Sequence, residues 1–191
     1  MQEMDGGAMQ YLKDSVRRKI LDSAKAEFLK RGYQHGNLRR IAEEADITPG
    51  NIYRYFTNKE DLLRQILEPL YQEIRAVIEA EAVMEKTPYG AERTLIRIRS
   101  LVENFPMEMG IAIREEEGGA FKERLVETAA SRLIRDMQCD PGLSRLLAAT
   151  FTDALLLIFR EYQGDPDRAL RYIQKLIYFY FRDGSEVDLY N

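Results

Sequence analysis

From about residue 14 onward, apolar positions recur every three or four residues rather than every two, so the chain reads as helical almost throughout. Val16, Ile20, Ala24 and Phe28 form the inner stripe of a first helix, with Asp14 or Ser15 as its cap and Gly32 as its stop. Asn37 caps a short helix through Ala45, whose inward positions are Leu38, Ile41, Ala42 and Ala45. Asp46-Ile47 then makes a turn. Thr48 and Pro49 open the next helix as N-cap and first helical residue. That helix should have about seven residues, or roughly 10 Å of length. Thr57-x-x-Glu60 predicts a capping box for a long helix from Lys59 to Glu85, bent where Pro69 removes a backbone donor.

Later helices are predicted over 89–104, 107–116, 120–138, 141–163 and 166–183. Thr87-Pro88, Pro106, Gly118-Gly119, Asp140-Pro141-Gly142 and Gly164-Asp165-Pro166 punctuate them. The predicted fold class is all-α. A flexible arm over 1–12 precedes a three-helix domain over 13–64, whose second and third helices make a helix-turn-helix. A helical body over 65–191 follows. In the third helix only Ile52 and Phe56 are placed to be buried, which leaves Tyr53, Tyr55 and their neighbours free for an external surface.

Composition narrows the function class. Hydrophobic residues make up 45% and charged residues 31%, the balance of a globular protein. The net charge is −4, but residues 1–64 hold 12 basic against 10 acidic side chains, and the remaining 127 hold 16 against 22. A mildly basic head on an acidic body permits a local contact with an anion. One cysteine, Cys139, and one histidine, His35, exclude a disulfide framework, a dedicated zinc site and a Ser/His/Asp or Cys/His catalytic set beyond those two residues. Glu115-Glu116-Glu117 reads as a solvated helix end rather than a metal site. The N-terminus lacks the apolar stretch of a signal peptide, and the longest unbroken apolar run is Ala154–Phe159. The expectation is a soluble cytoplasmic protein, not an enzyme, with no cofactor and no metal.

The stretch RRKILDSAKAEFLKRGYQHGNLRRIAEEADITPGNIYRYFTNKEDLL closely resembles the N-terminal domain of the TetR (tetracycline repressor) family of transcriptional regulators. The resemblance rests on Ile20-Leu21, Ala24, Phe28, Gly32-Tyr33, Ile41-Ala42, Ala45, Gly50, Tyr53, Tyr55-Phe56, Lys59-Glu60 and Leu62-Leu63. It covers about a quarter of the chain. It implies a homodimeric repressor on double-stranded operator DNA, with a C-terminal domain that binds a small-molecule effector. The family usually has Thr where Gly36 stands and Gly where Asp46 stands.

The residues assigned to DNA are Arg39, Thr48, Pro49, Gly50, Asn51, Tyr53, Tyr55 and Lys59, with Arg40 and Arg54 as lesser candidates of the same kind. Asn51 has the amide that pairs bidentately with adenine, and Arg39 the guanidinium for guanine or phosphate. Gly50 permits close approach. Lys59 opposes the dipole at a helix start, so an external anion would account for it. In the body, Tyr71, Ile74, Ile78, Ile98, Val102, Phe105 and Met109 are assigned to a ligand cavity, with Arg97, Arg99 or Glu103 as polar anchors. The last two helices are apolar nearly all round, which assigns Phe151, Leu155, Leu156, Phe159, Ile173, Ile177 and Tyr180 to a dimer interface. The rival class is a structural or co-regulatory helical protein that keeps this fold without specific DNA binding, and Gly36 is the feature that favours it.

Overall fold

The first helix starts well before its predicted cap. In the computed structural model, which describes residues 5–80, 88–114 and 119–181, α1 spans Asp5–His35. Asp14 and Ser15 therefore lie inside a helix, and of the predicted arm only residues 1–4 fall outside the described residues. The segment lacks an apolar stripe, but Ala8, Met9, Gln10, Leu12 and Lys13 are good helix formers, and Gln10 bonds Asp14 one turn on. Gly32 acts as predicted: at φ 76° it leaves helical geometry, as glycine does without strain.

Helix α2 spans Leu38–Glu44, and Asn37 Oδ1 accepts from the Arg39 amide at 2.8 Å to cap it. Asp46, at φ 56°, ends it left-handed. The Asp46 amide donates to Glu43 O at 3.1 Å and the Ile47 amide to Ala42 O at 3.0 Å, the paired bonds of a Schellman turn. Helix α3 is shorter than predicted, spanning only Pro49–Ile52. Beyond it Arg54 N donates to Asn51 O and Tyr55 N to Ile52 O, so the chain tightens to i,i+3 turns before α4.

Helix α4 spans Lys59–Glu79, with Pro69 inside it. Its predicted continuation over 81–85 lies outside the described residues. The cap sits one residue later than the Thr57–Glu60 box: Asn58 Oδ1 accepts from the Asp61 amide at 2.7 Å, and Asp61 accepts from the Thr57 amide at 2.9 Å. Both boxes fit the sequence rule. The Asn58–Asp61 one wins because Asp61 also gathers Arg64 and Gln65.

Two compact units divide between Glu68 and Pro69, inside α4. In the first, Ile20, Ala24 and Phe28 of α1 are buried with Ile41, Ala42 and Ala45 of α2. Ile52, Phe56, Leu62 and Ile66 complete that core. The second unit adds α5 (Pro88–Asn104), α6 (Pro106–Ala112), α7 (Ala120–Met137), α8 (Pro141–Glu161) and α9 (Pro166–Phe181). Helix α6 stops at Ala112, short of the predicted 116, and Glu115, Glu116 and Glu117 lie outside the described residues.

Helices α7 and α8 pack along their length, joining Val126, Ala130, Leu133 and Ala148. The small residues Ser144, Ala148 and Thr152, spaced by four, face this seam and are buried. Helix α9 lies on α5 and α8. Its Ile173 and Ile177 are buried within one chain, so they are core residues and not the interface residues predicted. A helix apolar on every side hides which stripe faces its own domain.

Candidate nucleic-acid interface

The first unit sorts its polar side chains into two groups. One group is committed internally. Glu27, on α1, accepts from Arg40 of α2 through Nη2 at 2.5 Å and Nε at 2.8 Å, and from the Asn37 amide at 3.1 Å. Arg31 approaches its other oxygen at 3.4 Å. Arg40 also donates to the His35 carbonyl at 3.1 Å. The start of α2 is thus strapped to α1 by one carboxylate. The Arg40 hydrogen bond holds the Glu27 carboxyl below its ordinary pKa, against the opposing effect of burial. Arg40, a lesser DNA candidate from sequence, is a structural strap.

Lys59 belongs to the same group. Its Nζ donates to Gln34 O at 3.1 Å and lies 4.6 Å from the centroid of the Tyr33 ring. Burial lowers its pKa, and Glu27 partly offsets this. The misplaced charge at the start of α4 therefore has an intramolecular account. It anchors α4 to the end of α1, through residues 25 positions away in sequence, beyond the reach of local pattern reading.

The second group has no partner among the described residues. The Arg39 and Arg54 side chains are exposed, as are Thr48 and Tyr53, while Asn51 and Tyr55 are half-buried. The Thr48 hydroxyl makes no cap bond although Thr48 stands at the N-cap of α3. Tyr53 is 59% exposed, with its phenol turned outward and no side-chain partner among the described residues. Pro49 and Gly50 complete the exposed start of α3. A Cβ on Gly50 would meet nothing within 4 Å, so nothing inside the protein requires glycine there. Ile52 and Phe56, both buried, hold the segment down from beneath. The result is a short platform whose outer face carries guanidinium, amide and phenol groups.

Gly36 is different. A Cβ there would lie 2.5 Å from Phe28 Cδ1 and 2.6 Å from Cε1. The Phe28 ring fills the space that a threonine side chain would need, so the departure from the family pattern is a matter of packing.

In the second unit the predicted cavity residues scatter. Tyr71 is buried, its hydroxyl 3.0 Å from Thr128 Oγ1 and its ring 3.7 Å beneath the Arg124 guanidinium. Ile74, Ile78, Ile98, Val102 and Met109 are half-buried. A groove of about 370 Å³ is lined by Glu73, Ala76, Val77, Arg97, Ser100, Leu101, Asn104 and Phe105, so Phe105 and Arg97 alone of the named residues reach it. Arg99 and Glu103 pair with each other at 3.9 Å, and Arg99 with Asp167 at 2.8 Å.

Of the predicted interface, Phe151, Leu155, Leu156, Phe159 and Tyr180 are half-buried. The Phe151 and Tyr180 rings meet edge-on at 5.1 Å, and the Tyr180 hydroxyl donates to Thr150. The exposed large apolar residues described on α8 and α9 are instead Leu143, Leu146, Leu157, Tyr172 and Phe179. Leu143, Leu146, Thr150 and Leu157 follow a three-four-seven spacing, the heptad signal that would have found them. By length and mean hydropathy α8 is apolar enough to cross a membrane, yet only 17% of that stretch is buried within the chain.

Residues 20–66 match the sequence profile of bacterial regulatory proteins of the tetR family. Over 73 residues the chain is 38% identical to the HTH-type transcriptional repressor KstR of Mycolicibacterium smegmatis, which covers 38% of this chain and 36% of the repressor. The matched part thus spans about a third of that curated relative's length. Among solved structures, a putative tetR family transcription regulator from Shewanella sp. PV-4 superposes with a TM-score of 0.64 at 17% identity, covering 87% of this chain and 95% of that one. The regulator FadR of Bacillus subtilis, solved with stearoyl-CoA, gives 0.57 at 19% identity, covering 84% and 96%. At these identities the structures establish a common fold over nearly the whole chain. Residues 20–66 are thus similar to the helix-turn-helix domain of the tetR family of bacterial regulatory proteins.

Proposed function

We propose that this protein is a sequence-specific DNA-binding transcriptional regulator, acting in the cytoplasm as a homodimer on an inverted-repeat operator and responding to a small molecule. The observation that carries the reading is the division of polar groups in the first unit. Arg40 and Lys59 are held internally, whereas Arg39, Asn51, Tyr53, Arg54 and Tyr55 sit together around α3 without partners. Such a face suits the major groove, with Asn51 and Arg39 reading base edges and the tyrosines and Thr48 positioned on phosphates. Two copies whose α3 helices lie about 34–36 Å apart, or a multiple, would read two half-sites on one face of the duplex.

The exposed leucines of α8 and Phe179 of α9 supply an apolar face for the second copy. The groove between α4 and α5 offers Arg97 and Glu73 beside Leu101 and Phe105, a mixed lining for an amphipathic effector. Control by an effector is also compatible with the stearoyl-CoA held by a regulator of the same fold. The rival class loses its one supporting feature, because Gly36 is explained by Phe28 packing.

Selection from random DNA tests the reading. The wild type should enrich an inverted repeat. Asn51→Ala should relax one base preference per half-site, a loss of about 1–3 kcal/mol of discrimination for a bidentate contact. Tyr53→Phe should weaken all duplexes alike. Failure of the wild type to enrich any sequence would refute the proposal.

A further inference from the structure

We infer that α1 carries a second, sequence-independent contact to the DNA backbone, made by Lys13 and Arg17. The inference rests on the DNA-binding function proposed above and adds a site outside the helix-turn-helix. Helix α1 runs from Asp5, and among its side chains of described burial, from Gln10 onward, the first fully buried is Ile20. About three turns of helix, residues 10–19, therefore precede the core that supports the rest. On the face that buries Ile20, Ala24 and Phe28, the positions toward the N-terminus are the half-buried Val16 at its edge and the exposed Arg17 and Lys13 along its middle. The stripe changes from apolar to basic where the core ends.

Arg17 fixes where this stripe lies. Its guanidinium donates to Gln65 of α4 and stands 5.6 Å from the centroid of the Phe56 ring. Phe56 in turn donates its amide to Ile52, the last residue of α3. The basic stripe thus passes beside the turn that follows α3. Lys13 lies one helical turn further out, about 6 Å along the axis. It is exposed, with no partner among the described residues. Asp14 is occupied by Gln10, and Asp22 lies further along α1 on the exposed side. Two cations on one face, one pre-positioned by a neutral amide and one unpaired, match two successive phosphates beside a groove-bound α3. Arg18 is equally basic and exposed, but it is turned about 100° from Arg17 and away from this stripe.

The test measures duplex affinity against salt for the full chain, using both a mixed-sequence duplex and the selected site. Lys13→Ala should lower the slope of log K against log salt by about one unit, and Lys13→Ala with Arg17→Ala by about two. Arg18→Ala should leave the slope unchanged, and the selected sequence should be the same for every variant. Thermal unfolding separates any loss of the Arg17–Phe56 contact from a DNA effect, and Lys13→Ala alone, at an exposed site, should unfold as the wild type does. An unchanged slope for Lys13→Ala overturns the inference while leaving the proposed function standing. An equal drop for Arg18→Ala also overturns it, because the effect would then be one of net charge. A wild type that binds no duplex removes both.

Discussion

Replacing Gly36 by alanine puts a methyl group 2.5 Å from Cδ1 and 2.6 Å from Cε1 of Phe28, where carbon atoms prefer about 3.5–4.0 Å. About 1 Å of movement is needed, and neither side yields easily. The Phe28 ring is fully buried and packs edge-on against Tyr33 at 5.6 Å. The Gly36 backbone is pinned by its amide, which donates to Gly32 O at 3.0 Å and Tyr33 O at 3.2 Å. Overpacking of this kind costs about 1–3 kcal/mol. The alanine recovers about 0.4–1 kcal/mol by restricting the unfolded chain, so the net loss should be about 1–2 kcal/mol. For a unit of this size each kcal/mol lowers Tm by about 4–8 °C. Urea and thermal unfolding of the helix-turn-helix unit measure the loss directly. In a Phe28→Leu background the ring is gone, and Gly36→Ala should cost markedly less. Equal costs in the two backgrounds, or no cost in either, would refute the packing argument.

Gly50→Ala should do the opposite inside the protein, stabilising the first unit by up to about 1 kcal/mol because its Cβ meets nothing, while weakening DNA binding; a variant that binds DNA as well as wild type denies close approach at α3. The carboxyls of Glu27 and Asp61 have lowered folded-state pKa values, from the Arg40 bond in one and from the Gln65 and Thr57 bonds in the other. Their stabilisation is present above the ordinary values of 4.5 and 3.8 and is lost as pH falls through the lowered folded values, so acid unfolding of Glu27→Gln should be less steep than that of the wild type. Leu146→Glu should leave the monomer folded and abolish dimers in sedimentation, whereas Ile177→Glu should unfold the second unit; a dimer that survives Leu146→Glu means that the seam lies elsewhere.

Sequence pattern located the helices with strong apolar stripes or a proline at the first turn, α2, α4, α5, α8 and α9, because burial and caps act within a few residues. It failed where the deciding partner is distant or where two local solutions compete. Lys59 looked unpaired because Gln34 and Tyr33 belong to another helix. The α4 cap slid by one residue because Thr57–Glu60 and Asn58–Asp61 satisfy the same rule. Residues 5–12 read as an arm because their sequence carries no apolar stripe and so leaves no periodic trace. The groove residues Ala76, Ser100 and Asn104 were missed because small and polar side chains give no apolar signal. The exposed platform around α3, proposed here as the DNA face, was legible because it is the surface left over once Ile52 and Phe56 are assigned to the core.

The α7–α8 pair has a consequence for the order in which the body folds. Only residues 138–140 separate the two helices, whereas α9 must reach back to α5 across residues 105–165. The entropy of closing the longer loop exceeds that of the shorter by about 2–3 kcal/mol. The hairpin can form while the C-terminus is still on the ribosome, held by the close approach of Ser144, Ala148 and Thr152 to its partner. Until α9 arrives, the apolar positions that receive Ile173 and Ile177 stay open to water. A released chain truncated before residue 166 should therefore already protect α7 and α8 amides from exchange while leaving α5 unprotected, and protection of α5 in that chain would reverse the order.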